Sequence, residues 1–315
     1  MKPAETIELA QMDAHIKVRI KEIGGEAVLF DVPMREYTTF QTGGNAQAMY
    51  RARDLEGLRN MVTFLVGEGI AYFLIGRGSN LLVRDEGFDG VAIILDGSLA
   101  SIEAITGVEP SVQAGAGLAV RTLVDFCTER GLAGVEFMAG IPGTLGGAVV
   151  MNAGSWGQEI GDIVREITVL TMGGTVERRD GNSLTYKYRG LDLSLGDIIV
   201  GAKLSLGLDD PGAIRGRVRS YLNRRKERFP LDMPSAGSVF KNPEGDSAGR
   251  LIEAAGLKET VIGGAMISPK HANFIVNTGT SSASDIVALM DLARRKVKEM
   301  FNIQLVPEIK VVGKQ

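Results

Sequence analysis

Gly140-Ile141-Pro142-Gly143-Thr144-Leu145-Gly146-Gly147-Ala148-Val149-Val150-Met151-Asn152-Ala153-Gly154 is the stretch on which the fold turns. Glycine stands at positions 140, 143, 146, 147 and 154, and an apolar run separates the last two. An ordinary surface loop has no use for that combination. Without a Cβ, the chain can pass close to a flat or phosphorylated group, or close to another strand in a tight crossover. A second cluster, Gly76-Arg77-Gly78-Ser79-Asn80, directly follows the apolar run Ala71-Tyr72-Phe73-Leu74-Ile75. Backbone N–H groups released by such a turn form an anion nest, and Ser79 and Asn80 add side-chain donors. The dinucleotide fingerprint G-x-G-x-x-G fails here, because Leu81 stands where the third glycine belongs, and no phosphate-loop lysine follows. Taken alone, this pentapeptide fits a plain turn as well as a phosphate site of another type. Thr38-Thr39-Phe40-Gln41-Thr42-Gly43-Gly44-Asn45-Ala46 is a third cluster, and alone it reads as a hairpin turn.

Outward from these clusters the chain alternates helices and strands. Asp54 can cap a helix over 55–68 with apolar positions Leu58, Val62, Leu65 and Val66, ended by Gly69. Segments 71–76 and 91–95 read as buried strands. Strand-like runs follow at 101–106, 111–117, 166–171, 175–179 and 197–206, with a hairpin turn at Met172-Gly173-Gly174 and a helix over 119–130. Pro211-Gly212 opens a basic helix; a short helix at 247–256, a longer one at 283–301 with a Ser282/Asp285 capping box, and a closing strand at 305–313 complete the chain. The fold class expected is α+β. The units are an N-terminal helix and lead-in (1–32), two small α+β units (33–98 and 99–210), and a third α+β unit (211–315).

Composition limits the chemistry. The 315 residues carry 44% hydrophobic residues, enough for several cores, and a net charge of −3 that gives no basic footprint for nucleic acid. Glycine is abundant, at 41 residues, and is gathered in short clusters rather than a repeat. One cysteine, Cys127, and two histidines, His15 and His271, rule out a disulfide framework and supply too few ligands for a zinc site of the usual kind, so no metal is expected. Cys127 falls on the apolar face of its helix and reads as an inert core thiol. The first twenty residues spread their charges and lack the apolar core of a signal peptide, and no apolar run is long enough to cross a bilayer. A cytoplasmic enzyme is the expectation.

Several segments, in order, resemble one enzyme family. They are Thr38-Thr39-Phe40 with Gly43-Gly44, GRGSNLLVRDEGFDG from Gly76, AGIPGTLGGAVVMNAG from Ala139, PSAGSVFKNP from Pro234, and the terminal Pro307-Glu308-Ile309. Together they closely resemble the UDP-N-acetylenolpyruvoylglucosamine reductases over nearly the whole chain. The resemblance implies a two-domain FAD-binding fold of the vanillyl-alcohol-oxidase/PCMH type, followed by a C-terminal α+β substrate-binding domain. It implies non-covalent FAD, since neither histidine lies in a flavin motif, and NADPH as co-substrate. The implied reaction reduces an enolpyruvyl ether on a UDP-sugar to the lactyl ether, in peptidoglycan precursor synthesis. The cofactor-binding positions it implies are Gly43 and Gly44; Gly76, Arg77, Gly78, Ser79, Asn80 and Leu81; and Gly140, Pro142, Gly143, Thr144, Gly146, Gly147, Ala148 and Asn152.

Residue by residue, Ser238 matches the family's proton donor, Glu308 its C-terminal glutamate, and Arg189 an arginine that would stabilise the enolate-like carboxylate. A serine hydroxyl is a weak acid, so that role needs neighbours able to stabilise its charge. An arginine fork suits a carboxylate bidentately. Lys226, Lys241, Asn242 and Tyr188 are the substrate-binding positions, with Arg224 and Arg225 completing a basic set for a UDP diphosphate; a solvated helix face is the alternative for that run. The sequence departs from the family where Gly190 and Leu191 follow Arg189 in place of a residue and a serine, and where Phe229 precedes Pro230. The segment between Pro243 and Gly264 is short, as in the subtype without an inserted, tyrosine-bearing loop. No nucleic-acid or membrane partner is expected, and the chain is expected to act as a monomer or weak oligomer. Two other readings remain at this stage: another FAD-dependent oxidase of the same fold, and a non-catalytic protein that binds a flavin or nucleotide sugar.

Overall fold

The computed structural model describes residues 12–314 apart from Thr106 and Val108. Residues 1–11 of the expected N-terminal helix lie outside the described residues. Helix α1 (Ala14–Gly24) begins at Asp13, whose side chain accepts from Ile16 N. Helix α2 (Leu55–Gly67) begins at Asp54, whose carboxylate accepts from Gly57 N at 2.8 Å and satisfies one of the orphan amides of the first turn. Leu58, Met61, Val62 and Leu65 are its buried stripe. Val66, expected on that stripe, is exposed, because Met61 completes the 3–4 spacing instead. The two helices pack against each other beside a four-stranded sheet ordered Val28–Pro33, Asn45–Ala52, Phe88–Leu95, Tyr72–Leu74. Its first pair is antiparallel and the other two are parallel. Residues 14–33, set apart in the sequence as a lead-in, therefore supply a helix and an edge strand to this unit.

The second unit is a five-stranded antiparallel sheet ordered Val176–Asp180, Val164–Leu170, Ile198–Ser205, Ser111–Gly115, Ile102–Ile105. The turn at 172–174 closes its hairpin through Thr171 N to Thr175 O, with Gly174 at φ +80°. Helix α3 (Val120–Glu129) buries Leu123, Val124 and Cys127 on the sheet side. Burial, reinforced by the charge of Glu136, pushes the Cys127 thiol up to about 12, as an inert core thiol requires. The opening glycine segment becomes a bend and then helix α4 (Leu145–Val150), which lies against Ile198–Ser205.

Helix α5 (Pro211–Arg228) starts with proline in its first turn and Asp210 as its cap. Helices α6 (Ala248–Ala254) and α7 (Ala283–Phe301) cover a small antiparallel sheet, Val261–Ile262, Ala265–Ile267, Ile275–Asn277. Both halves of the Ser282/Asp285 capping box are made. This third core takes in Phe40 and Leu82 from the first unit. The closing strand is shorter than its apolar pattern suggests. Only Lys310–Val312 is a strand, and it pairs in parallel with Leu81–Val83 of the first unit. Pro307 has no N–H to continue a ladder, and Glu308 N donates to Val239 O at 2.7 Å instead. Glu308 thus sits in a link between a bridge (Pro307 to Phe240) and the strand, not in the strand itself.

Candidate active site

The three units enclose one large cavity of about 1630 Å³. That exceeds the 300–1,000 Å³ usual for a single ligand and leaves room for a cofactor and a substrate together. Two walls are built from the glycine clusters. In the first, Gly78 has φ +61°, and a Cβ there would stand 2.1 Å from Tyr37 O. Thr39 holds this turn by donating from its N–H to Gly78 O at 3.2 Å. Among the described residues, the N–H groups of Arg77, Gly78, Ser79 and Asn80 donate to no protein acceptor outside regular elements, which leaves them for an anion. Ser79 Oγ donates to Pro142 O at 2.8 Å and ties the two clusters together. In the second, Gly143 takes φ +146°, and Gly146 packs so closely on Ala116 that a Cβ would stand 2.8 Å from that residue's own Cβ.

A third wall comes from three other segments. Tyr186–Lys187 and Gly190–Leu191 form a small hairpin whose turn puts Arg189 at φ +56°. That backbone region suits glycine or asparagine, so an arginine held there is strained for a reason. Arg189 Nε lies 3.1 Å from Glu308 Oε1, and Nη2 donates to Gly154 O at 3.2 Å. Both side chains are largely buried. Burial raises the Glu308 carboxyl above the ordinary glutamate range, and the positive charges of Arg189 and Lys241 hold that rise in check. Ser238 lines the cavity on the segment after Gly237, which has φ +74°. This segment is clamped on one side by Asn273, whose main-chain O accepts from Val239 N and whose side chain exchanges two bonds with Phe240, and on the other by the 306–308 link.

A fourth wall is the last two turns of α5. Arg224, Arg225 and Arg228 share the face that lines the cavity. Lys226 lies on the far side of the helix and is exposed, so it is not a wall residue. Arg224 lies 3.9 Å from the ring of Trp156, which stacks on Tyr221 at 6.0 Å. Arg225 Nε and Trp156 Nε1 are buried without a hydrogen-bond partner among the described residues. Unsatisfied buried donors on a cavity wall fit an anionic ligand with acceptor atoms.

The structure brings Ser238, Arg189 and Glu308 to this one cavity, together with Gly76 to Leu81, Pro142, Gly143, Thr144, Gly146, Gly147 and Ala148. Others of the expected residues stand behind the walls. Gly43 and Gly44 press against Val83 O and Asp85 O, so they serve a close packing of chains. Gly140, at φ +75°, makes room for Arg225. Asn152 is buried and bonds Glu159, Lys187 O and Gly161 N, a scaffold role. Asn242 accepts from Ala248 N near the start of α6, Lys241 Nζ donates to Arg189 O at 3.3 Å, and Tyr188 stands exposed beside the Arg189 guanidinium. His271 packs on Phe229 and Phe274, off the cavity lining. Trp156 and Arg228 are wall residues that the sequence reading did not assign; the spacing of Arg224 and Arg228, four apart on one helix, is the signal that points to the latter.

Residues 46–180 match a family model described as an FAD binding domain, and residues 229–312 match one described as the C-terminal domain of UDP-N-acetylenolpyruvoylglucosamine reductase. A UDP-N-acetylenolpyruvoylglucosamine reductase of Syntrophus aciditrophicus is 42% identical across 96% of this chain and 97% of its own length. The chain belongs to the UDP-N-acetylenolpyruvoylglucosamine reductase family. Another reductase of that name, from Geobacter metallireducens, is 40% identical over 96% of this chain. The crystal structure of the Thermus caldophilus reductase superposes with a TM-score of 0.77 at 34% identity, covering 90% of this chain and 97% of that one. The reductase fold is therefore α+β, an FAD-binding region followed by the family's C-terminal domain. The cavity fits such a cofactor: the nest at 77–80 suits a diphosphate, and the crowded glycines leave a groove that side chains would fill.

Proposed function

We propose that this chain is the FAD-dependent, NADPH-consuming reductase that converts UDP-N-acetylglucosamine enolpyruvate to UDP-N-acetylmuramate in peptidoglycan precursor synthesis. The observation that carries this reading is the Arg189–Glu308 pair, 3.1 Å apart, in the wall that also presents Ser238 and beside the phosphate nest, whose Asn80 side chain bonds the Glu308 carbonyl. FAD held by the glycine clusters would supply the redox chemistry, passing electrons from NADPH as hydride to the substrate's terminal methylene. The protein's task is to polarise and to protonate. Arg189 offers fixed donors to the substrate carboxylate, onto which negative charge moves. Ser238 is the proton donor to the adjacent carbon. Glu308, with its raised carboxyl, retains a proton to higher pH than a surface glutamate and supports that transfer. Arg225 and Arg228 suit the diphosphate of the nucleotide sugar. The FAD is held non-covalently.

The reading places the enzyme in the cytoplasm with its soluble substrates, as a monomer or weak oligomer without a nucleic-acid partner. Among the described residues no helix is long and apolar enough to cross a membrane. Light scattering behind a sizing column tests the oligomeric part.

The catalytic test is anaerobic. One equivalent of NADPH should bleach the flavin absorbance near 450 nm, and the enolpyruvyl UDP-sugar should then restore it with formation of the lactyl ether. Ser238→Ala should bleach normally and recover at least ~100-fold more slowly, the scale of a lost general acid. Rapid recovery with oxygen but none with the UDP-sugar would replace this reading with an oxidase of the same fold.

A further inference from the structure

We propose that Asn80, on the glycine turn of the first unit, is the positioning residue for Glu308. Glu308 is held by its main chain on both sides. Its N–H donates to Val239 O at 2.7 Å, and its carbonyl accepts from Asn80 Nδ2 at 3.2 Å. Two residues on, Lys310 N donates to Asn80 O at 3.0 Å, and Lys310–Val312 then runs in parallel register with Leu81–Val83. Asn80 therefore grips the link from both its side chain and its backbone. The second neighbour of Nδ2 is Met151 Sδ at 3.5 Å. Both neighbours are acceptors only, which fixes the amide with its nitrogen towards Glu308. Met151 caps the end of α4 within the second glycine segment, so one side chain joins both glycine clusters to the main chain of Glu308. The pairing of Glu308 Oε1 with Arg189 Nε depends on where this link sits, because a shift of 1 Å is enough to break a 3.1 Å contact.

Arg189 and Lys241 are the charges that act on Glu308; Asn80, Met151 and Val239, which face it from the other elements, carry none. Loosening the link moves the carboxyl away from both cations. Its proton is then held to higher pH, whichever ionisation state the reaction uses. The proposal rests on the reading of Glu308 as an active-site group, and two readouts on the holoenzyme keep the two ideas apart. The first is the pH profile of flavin reoxidation by substrate in single turnover. In Asn80→Ala, the limb governed by Glu308 moves to higher pH. Asn80→Asp, isosteric but without a donor, moves it further, because it adds a negative charge beside the carboxyl. The second is hydrogen exchange of residues 305–312, read by mass spectrometry with FAD in excess, which should speed up about tenfold in both variants. A wild-type pH limb together with wild-type exchange in both variants overturns the proposal, even if flavin binding weakens. Failure of the wild-type enzyme to reduce the UDP-sugar would sink the functional reading, while the exchange experiment still decides the positioning role.

Discussion

Arg189 and Glu308, the proposed reactive pair, both sit where the fold holds them at a cost. The arginine accepts a left-handed backbone, φ +56°, and the glutamate accepts burial. Strain and desolvation of this kind persist only where the surroundings over-determine them. Here Lys241 bonds the Arg189 carbonyl and Gly154 O receives its guanidinium. Arg189→Lys keeps the charge but loses the planar fork. It should lower the rate of flavin reoxidation by about 10²–10³-fold while leaving reduction by NADPH near wild type, as two stopped-flow half-reactions would show. The raised Glu308 carboxyl has a consequence for stability whose sign is fixed. A carboxyl with a higher pKa folded than unfolded favours the fold while it is protonated. That contribution is fully present below its unfolded pKa, about 4.3, and is lost as pH rises through the folded value. Glu308→Gln cannot titrate. Its stability relative to wild type should therefore improve between pH 4 and pH 7, measured by urea denaturation at each pH. A difference that stayed flat, or moved in the wild type's favour, would show that Arg189 and Lys241 outweigh burial.

Helix α5 makes the same argument one scale up. Its sequence gives a run of basic residues that could be a solvated face or a phosphate grip, and the helical period decides between them. Arg224, Arg225 and Arg228 fall on the cavity side, whereas Lys226 is about 100° round from Arg225 and faces water. Arg225 is the best placed, with Nε buried and lacking a partner. Truncation to Ala should raise KM for the UDP-sugar about 10–100-fold, the range for a charge-assisted hydrogen bond, with kcat little changed. Lys226→Ala should stay within about 2-fold, since an exposed charge contributes little. The position of Lys226 was not legible from composition, because a basic run names a charge and not a face. The longer elements were legible: α2 has a cap and an apolar stripe, α7 a capping box, and α5 a proline at its first turn. Ser238, Arg189 and Glu308 each lie inside a distinctive motif, and all three line the one cavity. What the sequence hid depends on contacts between distant segments. Gly43 and Gly44 read alone as a hairpin turn, and by resemblance as cofactor-binding, yet they are spared side chains so that Val83 and Asp85 can pass. The closing apolar run looks like one strand, yet Pro307 ends its ladder and hands Glu308 to Val239.

At the scale of the molecule, the cavity exists only where three units meet, so its geometry is as good as the joints between them. The joint between the first and third units is dense. Asp85 accepts from Ala283 N and Ser284 N, both at 2.8 Å, and from Ser284 Oγ at 2.6 Å, capping α7 from another unit. Thr42 Oγ1 donates to Ser281 O, Asn277 Nδ2 donates to Phe40 O, and Phe40 and Leu82 are buried in the third core. Leu170, Ile198 and Val200 of the second unit are likewise buried in the first unit's core. Cores shared in this way predict that the units unfold together. The chain carries its own two probes. Trp156, its one tryptophan, stands on the wall between the second and third units, and Cys127, its one cysteine, lies buried in the second unit's core. With its pKa pushed up to about 12, that thiol should stay silent to a disulfide reagent until the core opens. In a urea series, tryptophan fluorescence and thiol reactivity should share one midpoint. Asp85→Ala, which removes the acceptor of three donors at the joint of the first and third units, should cost about 1–3 kcal/mol and lower both midpoints together. A thiol midpoint that ignores Asp85→Ala would mean that the second unit holds its fold alone, and that the cavity can come apart at its joints while the sheet behind it stays intact.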